Sequence, residues 1–145
     1  MRLLIQRVTR ASVSVDGRLE AEIGPGLLVL VGIASTDSPA QADYLAEKLL
    51  NLRIFPDNEG RMNRSALDVR ASLLLVSQFT LYGDCRKGRR PSFDAAAPPA
   101  QARDLYEYLL NKVRQGGLVT QSGVFQAHMA VELVNDGPVT LLLEG

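Results

Sequence analysis

Alternating apolar and polar positions near the N-terminus predict a β-hairpin. Residues 12–15 and 19–23 both alternate with a period of two, and Asp16-Gly17 between them is a strong signal for a tight turn. Residues 27–33 follow as a continuous apolar run rich in branched side chains, which is typical of a strand covered on both faces. The N-terminal third of the chain is therefore predicted to be β-structure.

Helical periodicity appears twice further along the chain. Ser38-Pro39-Ala40-Gln41 supplies an N-cap, a first-turn proline and a capping-box glutamine. The apolar stripe of this first helix consists of Ala42, Leu45, Ala46, Leu49 and Leu52. A second helix is predicted to begin after Pro98-Pro99. Its apolar face consists of Ala102, Leu105, Tyr106, Leu109 and Val113.

Three further strands are predicted, over residues 72–78, 124–134 and 139–143. A long polar connection with several glycines and prolines, residues 81–98, follows the first of them. Asn135-Asp136-Gly137-Pro138 predicts a turn between the last two strands. We expect one α/β domain over residues 1–145, with a mixed, mostly antiparallel sheet that curls towards a barrel and two main helices.

The composition narrows the class of protein. The formal net charge of the 145 residues is zero, so a nucleic-acid partner requires a local basic patch. A single cysteine and a single histidine exclude an internal disulfide and the usual Cys/His zinc sites. The longest apolar run, residues 27–34, is too short for a membrane helix, and no signal-peptide pattern opens the chain. Because no glycine-rich nucleotide-binding motif is present either, we expect a soluble, cytoplasmic domain without metal, cofactor or membrane association.

Two reactive side chains have ordinary interpretations. His128 is the only histidine, and strand alternation places it on the polar side with Gln126 and Glu132, which predicts a solvated strand residue. Cys85 lies in a polar loop next to the cations Arg86 and Lys87, a setting in which a thiol can be reactive. Because no histidine is close to it in sequence, Cys85 is interpreted as an incidental thiol.

The segment Ser77-Gln78-Phe79-Thr80 is a candidate site because it stands where a buried strand meets the long loop. Thr80 is a candidate nucleophile, although no activating base is evident nearby. Alternatively, the backbone N–H groups of Phe79 and Thr80 could bind a developing oxyanion. The ordinary interpretation is that these polar side chains only satisfy backbone groups at the strand end.

Cations at two places in the chain also need an explanation. The residues of the one dense basic cluster are Arg86, Lys87, Arg89 and Arg90. This cluster either contacts phosphates or is a solvated charged loop. Arg7 shares a strand face with apolar neighbours, so its guanidinium is expected to be partly buried and to need fixed acceptors such as the backbone carbonyls of a turn.

Several segments together resemble one family, the D-aminoacyl-tRNA deacylases, which include the D-tyrosyl-tRNA deacylases. Its two signatures match Ser77-Gln78-Phe79-Thr80 and Asn135-Asp136-Gly137-Pro138-Val139-Thr140, and further matches run in family order along the whole chain. Two places depart from the family pattern. Ser122-Gly123-Val124-Phe125 stands where a Thr-Gly-Arg-Phe-like run is common, and His128 stands where an acidic residue is frequent.

The resemblance implies the fold of that family and a homodimeric cytoplasmic enzyme with its active site at the subunit interface. Such an enzyme hydrolyses the ester between a D-amino acid and the 3′-terminal ribose of tRNA, and it needs no cofactor. It also accepts glycine, including glycine mischarged onto tRNA for alanine. L-aminoacyl-tRNA is rejected by a Gly-cisPro motif that reaches into the partner subunit's site.

Carried over residue by residue, the resemblance implies roles for the positions named above. Gly137 and Pro138 would reject L-amino acids, with Arg7 holding their loop. The residues implied to shape the catalytic site and bind substrate are Ser77, Gln78, Phe79, Thr80 and Met129. The implied tRNA-binding residues are Arg86, Lys87, Arg89 and Arg90.

Two alternatives from other classes stay open. The first is a small-molecule D-amino-acid esterase that uses Thr80 as its nucleophile, and it would act on esters that lack tRNA. The second is a non-catalytic RNA-binding module that uses the basic loop.

Overall fold

The computed structural model describes all residues, 1–145. The sheet is built on strand β1. The strands are β1 (Arg2–Val15), β2 (Arg18–Ile23), β3 (Gly26–Gly32), β4 (Phe55–Pro56), β5 (Met62–Arg64), β6 (Ser72–Ser77), β7 (Thr120–Ser122) and β8 (Met129–Glu144). The helices are α1 (Pro39–Asn51), α2 (Ala66–Val69) and α3 (Pro99–Gln115), with one 3-10 turn at Phe79–Tyr82.

Strand β1 pairs antiparallel with β2, β3 and β8. Its C-terminal part forms the predicted hairpin with β2, and Asp16 and Gly17 at the turn both have positive φ, as a tight hairpin turn requires. Its N-terminal part lies between β3 and β8 along the whole of residues 2–6. Because its inward side chains Leu3 and Ile5 are fully buried, β1 contributes to the centre of the core.

Two parallel pairings complete the main sheet. Strand β6 pairs parallel with β3, and β7 pairs parallel with β6, so the order of the path is β2-β1-β3-β6-β7 with β8 added on β1. Side chains of β3 and β6 are almost all buried, as the continuous apolar runs predict. The sheet is mixed and nearly closed into a barrel, which confirms the predicted fold class.

Helices α1 and α3 pack against one face of the sheet and against each other. Gln41 Oε1 accepts a hydrogen bond of 2.9 Å from the Ser38 backbone N–H, which confirms the predicted helix start. Leu52, predicted to lie on the buried stripe, is instead half-buried at the C-cap, and Leu50 is buried in its place. In α3, the Tyr106 hydroxyl donates to the Leu75 carbonyl at 2.9 Å, which joins the helix to β6.

The C-terminal strands differ from the prediction. The strand predicted over residues 124–134 begins only at Met129, because residues 124–127 form a turn in which Gln126 has a φ of 62°. The two predicted last strands are one strand, β8, interrupted opposite Arg7 by a bulge. The short elements α2, β4, β5 and β7 were not expected, since two to four residues give too little periodicity to detect. No helix is both long and apolar enough to cross a membrane.

The close approach of β3 to β6 gives a test of the fold. A Cβ added at Gly26 would lie 1.9 Å from the backbone oxygen of Ser72, so Gly26→Ala must push the two strands apart. We expect a loss of unfolding free energy of about 3 kcal/mol or more in urea titrations, at the upper end for overpacking. Gly24→Ala is the matched control, because a Cβ there meets nothing within 4 Å. Equal stabilities of the two variants would contradict the packing argument.

Candidate active site

The turn that follows β6 is the centre of the candidate site. The Gln78 backbone N–H donates to the Val31 carbonyl at 2.7 Å, after which the chain leaves the sheet as the 3-10 turn Phe79–Tyr82. No side chain caps this turn. The N–H groups of Phe79 and Thr80, which open it directly after a rigid strand end, therefore have no acceptor within the turn.

Two residues from neighbouring strands hold this turn in place. Gly32 in β3 allows its close approach, since a Cβ there would lie 2.9 Å from the Leu81 Cβ. Arg2 in β1 donates from Nη1 to the Leu81 carbonyl at 2.8 Å, and its guanidinium lies 4.6 Å from the centroid of the Tyr82 ring. Burial, with a further contribution from Asp37, raises the pKa of the Tyr82 phenol to about 12. The turn is thus clamped at its C-terminal end and open at its N-terminal end.

A cavity of about 630 Å³ lies beside the open end of the turn. Its lining includes four of the predicted site residues, Ser77, Gln78, Phe79 and Met129. The other lining residues are mainly apolar and include Val31, Ile33, Val76, Phe93, Ala96, Ala97, Pro99, Ala102, Phe125 and Val131. The structure therefore brings the first signature segment and Met129 together at one concave surface.

Aromatic and polar groups define the mouth of this cavity. Phe79 is 57% exposed, and its ring meets Phe93 edge to face with the centroids 5.1 Å apart. The Gln78 side-chain amide donates to the Thr80 hydroxyl. Thr80 itself is exposed and does not line the cavity, so the structure does not present its hydroxyl to a base.

His128 is the functional candidate that sequence reasoning placed wrongly. It is exposed, as expected, but it directly follows the turn over residues 124–127 and lines the cavity instead of a solvated strand face. The alternation of half-buried and exposed residues continues through that turn into β8, so the pattern imitates a strand. The one local signal is the positive φ of Gln126, which the sequence does not reveal.

The second signature segment forms the bulge in β8. Val8 pairs with Asn135 and Gln6 pairs with Thr140, so residues 136–139 lie opposite Arg7 alone. The Asn135 side-chain amide closes the bulge by donating to the carbonyls of Arg7 at 2.9 Å and Val139 at 3.1 Å. The bulge is therefore a loop with a fixed base, not a hairpin turn.

Arg7 is buried at the base of this bulge, with 8% of its surface exposed. Its Nη1 donates to the Ile54 carbonyl at 2.6 Å, which is the backbone acceptor that a buried guanidinium needs. Its Nε lies 2.9 Å from an Asp136 carboxylate oxygen, but that N–H makes no well-directed hydrogen bond, so the contact is ionic. Arg7 thereby contacts the residue that precedes Gly137.

Gly137 and Pro138 protrude from the bulge. Both are exposed, the peptide bond between them is cis, and neither lines the cavity. A Cβ added at Gly137 would meet only the Asn135 side-chain oxygen, at 3.8 Å, which is ordinary contact. The fold of one protomer therefore has room for a larger residue at this position.

Comparisons with known proteins identify the family. Residues 4–144 match the model of the D-Tyr-tRNA(Tyr) deacylase family. The chain is 59% identical over 145 residues to the D-aminoacyl-tRNA deacylase of Heliobacterium modesticaldum, covering 100% of this chain and 97% of that protein. It is 58% identical over 144 residues to the D-aminoacyl-tRNA deacylase of Koribacter versatilis, covering 99% and 97%. The chain belongs to the D-aminoacyl-tRNA deacylase family.

Solved structures agree with this assignment of the fold. A protein described as c-Myc DNA unwinding element binding protein superimposes with a TM-score of 0.94 at 41% identity, covering 100% of this chain and 99% of its own. A probable eukaryotic D-amino acid tRNA deacylase has a TM-score of 0.85 at 18% identity, with coverage of 98% and 97%, and at that identity it supports the fold only. As a member of the deacylase family, the chain is a hydrolase that acts on a carboxylic ester bond.

The basic loop of this deacylase-family chain stands beside the cavity. Backbone hydrogen bonds between Asp84 and Ser92, at 2.7 and 3.0 Å, close the base of the loop next to Phe93. Arg86 is not a free cation, because its guanidinium donates twice to the Asp84 carboxylate, at 2.7 and 2.9 Å. These hydrogen bonds hold the pKa of the Asp84 carboxyl well below its usual range.

Three other cations of the loop remain without a carboxylate partner: Lys87, Arg89 and Arg90. Cys85 in the same loop is an exposed free thiol. No three His, Cys, Asp or Glu side chains lie close enough together to hold a metal ion.

Proposed function

We propose that this chain hydrolyses the ester bond of D-aminoacyl-tRNA in an active site assembled from two protomers. The observation that carries the proposal is the separation of the two signature segments. Within one protomer, Ser77, Gln78 and Phe79 line the cavity, whereas Gly137 and Pro138 are exposed and lie outside its lining. A second copy related by a two-fold axis can bring its Gly137-Pro138 to this cavity, and the first copy's Gly137-Pro138 then reaches the cavity of the second.

The free edge of β8 supports a homodimer. This strand pairs only with β1, so a long row of backbone donors and acceptors is open on its other side. Val134, Leu141 and Leu142 on the same strand are exposed apolar residues. An exposed edge with apolar side chains is typical of a surface that another chain covers.

The cavity is suited to the end of an aminoacylated tRNA. Its volume lies within the range of about 300–1,000 Å³ that is usual for small-molecule sites. Phe79, Phe93 and Phe125 offer rings on which a splayed base can stack. We propose that the 3′-terminal adenosine and its amino acid enter here, with Ser77, Gln78 and Met129 shaping the space around them.

The chemistry requires little from side chains. An aminoacyl ester is already activated, and the neighbouring ribose hydroxyl can assist its hydrolysis, so the protein needs mainly to position the ester and stabilise an oxyanion. The uncapped N–H groups of Phe79 and Thr80 are suitable donors. One such donor is typically worth about 10²–10³ in rate.

We attribute discrimination between D and L substrates to a rigid wall formed by Gly137 and Pro138 of the partner. Exchanging the hydrogen and the side chain at Cα points an L side chain to the place where a D substrate has only hydrogen. Gly137 and Pro138 of the partner, held by the Arg7–Asp136 contact, would occupy that place and exclude the L side chain by clash. Glycine has no side chain to exclude, so glycine mischarged onto tRNA for alanine would also be hydrolysed.

Binding of the tRNA body is assigned to the basic loop. Lys87, Arg89 and Arg90 are free to contact phosphates, whereas the charge of Arg86 is largely balanced by Asp84. The substrate implies that the enzyme works in the cytoplasm, where aminoacyl-tRNA is used.

The deciding experiment compares two substrates at equal enzyme concentration. We expect release of labelled tyrosine from D-Tyr-tRNA but not from L-Tyr-tRNA, with at least about 100-fold discrimination, which corresponds to a clash of about 3 kcal/mol. Activity on neither substrate, or equal activity on both, would end the proposal. Binding of tRNA without release of tyrosine would favour the RNA-binding module instead.

Thr80→Ala separates backbone from side-chain catalysis. If the Thr80 amide is the catalytic group, we expect kcat for D-Tyr-tRNA to fall less than about tenfold, the effect of losing one hydrogen bond to Gln78. The matched control is Thr9→Ala, at an exposed position on β1 outside the cavity. Complete loss of activity in a folded Thr80→Ala enzyme that still binds substrate, together with wild-type turnover of free D-tyrosine esters, would favour the Thr80 esterase.

Gly137→Ala tests the wall. The protomer has space for the added methyl group, so we expect unfolding free energy within about 0.5 kcal/mol of wild type. The ratio of kcat/KM for D-Tyr-tRNA over L-Tyr-tRNA should nevertheless fall at least about tenfold, because in the partner's cavity the methyl group must push the Gly137-Pro138 backbone out of its place against the substrate Cα. Gly24→Ala, which also adds a methyl group in open space, serves as the control. An unchanged ratio in Gly137→Ala would remove the wall from the mechanism.

A further inference from the structure

Arg103 is a cation at the edge of the cavity that the proposed catalytic groups do not use. It lies on α3 directly after Ala102, which lines the cavity. Its guanidinium carbon is 4.9 Å from the centroid of the Phe125 ring, and its Nη2 donates to the Gln126 side-chain carbonyl at 3.0 Å. Both of these contact residues also line the cavity, so Arg103 is held at its rim.

The Phe125 ring, on which Arg103 is stacked, is anchored in the core. The Phe125 ring packs at 5.9 Å from the ring of Tyr106, which is itself buried and hydrogen-bonded to β6. Gln126 keeps a φ of 62°, a conformation that a non-glycine residue adopts only where its surroundings determine it. An exposed arginine is normally mobile, but this one is stacked on an anchored ring and hydrogen-bonded to the Gln126 side chain.

The charge of Arg103 has no direct counterion. None of the seven ion pairs of the chain includes it, and only one of its N–H groups is used in a hydrogen bond within the protein. The remaining donors of the planar guanidinium are free to bind an anion. A planar fork of this kind matches the paired oxygens of a phosphate group.

We infer that Arg103 binds the phosphate that joins the last two nucleotides of the tRNA, at the mouth of the cavity. This inference rests on the proposed function, in which the terminal adenosine lies inside the cavity. The chain then leaves through the rim, and the first charged group outside is the 5′-phosphate of that adenosine. A contact to phosphate positions the substrate without reading its sequence.

The test compares a substrate with that phosphate and a substrate without it. For Arg103→Gln, we expect KM for D-Tyr-tRNA to rise about tenfold, as for loss of a charge-assisted hydrogen bond, with kcat changed less than twofold. On 3′-O-D-tyrosyl-adenosine, which has no phosphate, the rise in KM should be less than twofold. The slope of log KM against log salt should fall by about 0.7–0.9, the value for one phosphate contact.

Two further variants separate charge from packing. Arg103→Lys keeps the charge but loses the planar stack, so about half of the effect on log KM should return. Arg114→Gln, in the last turn of the same helix and away from the cavity, should leave both substrates and the salt slope unchanged.

Three results would overturn the inference, and each is distinct. An unchanged KM for D-Tyr-tRNA in Arg103→Gln would show that no phosphate contact exists. An equal rise in KM for both substrates would show that Arg103 only supports Phe125 and the wall of the cavity. Failure of the wild-type enzyme to hydrolyse D-Tyr-tRNA would refute the proposed function first, and this inference with it.

Discussion

The parallel pairing of β3 with β6 is the constraint on which the rest of the structure depends. Both strands are covered on both faces, so every backbone donor and acceptor in them must find a partner in the sheet. The last bond of this pairing, from Gln78 to Val31, ends the sheet and begins the turn. A slip of one residue would displace the turn by about 3.3 Å and exchange the two faces of β6. The position of the candidate catalytic amides is therefore set by strand register and not by the loop itself.

Strand β1 joins the two signature segments although they lie apart. Near its start, Arg2 binds the Leu81 carbonyl at the end of the turn, and in its middle, Arg7 contacts Asp136 in the bulge. Burying the guanidinium of Arg7 is costly, and the Ile54 carbonyl together with the carboxylate offsets that cost. Four residues of β8 must lie opposite one residue of β1, so the bulge has to protrude. Rigid support from the same strand thus reaches both signature segments.

The sequence predicted the features that local chemistry determines. The hairpin at Asp16-Gly17 and the helix start at Ser38 follow from turn and capping residues, and the structure confirms both. The turn over residues 124–127 was not predicted, because the sequence does not show the positive φ of Gln126 and the alternation of β8 continues through it. The ion pair between Arg86 and Asp84 was not predicted either, since the net charge of a loop does not show which cations are already paired with a carboxylate. The stacking of Arg103 on Phe125 joins residues 22 positions apart, and only the packing of α3 brings them together.

Weak electrostatic attraction between the protein and tRNA is consistent with the proposed selection by handedness. The net charge is zero, and the free cations near the cavity are few. Every aminoacyl-tRNA presents the same phosphates at its 3′ end, so phosphate contacts stabilise D and L substrates equally and add nothing to the ratio of their rates. Stronger phosphate binding would only hold L-aminoacyl-tRNA longer on the enzyme. Discrimination must then arise where the two substrates differ, at Cα, which is where an uncharged wall of Gly137 and Pro138 from the partner would act.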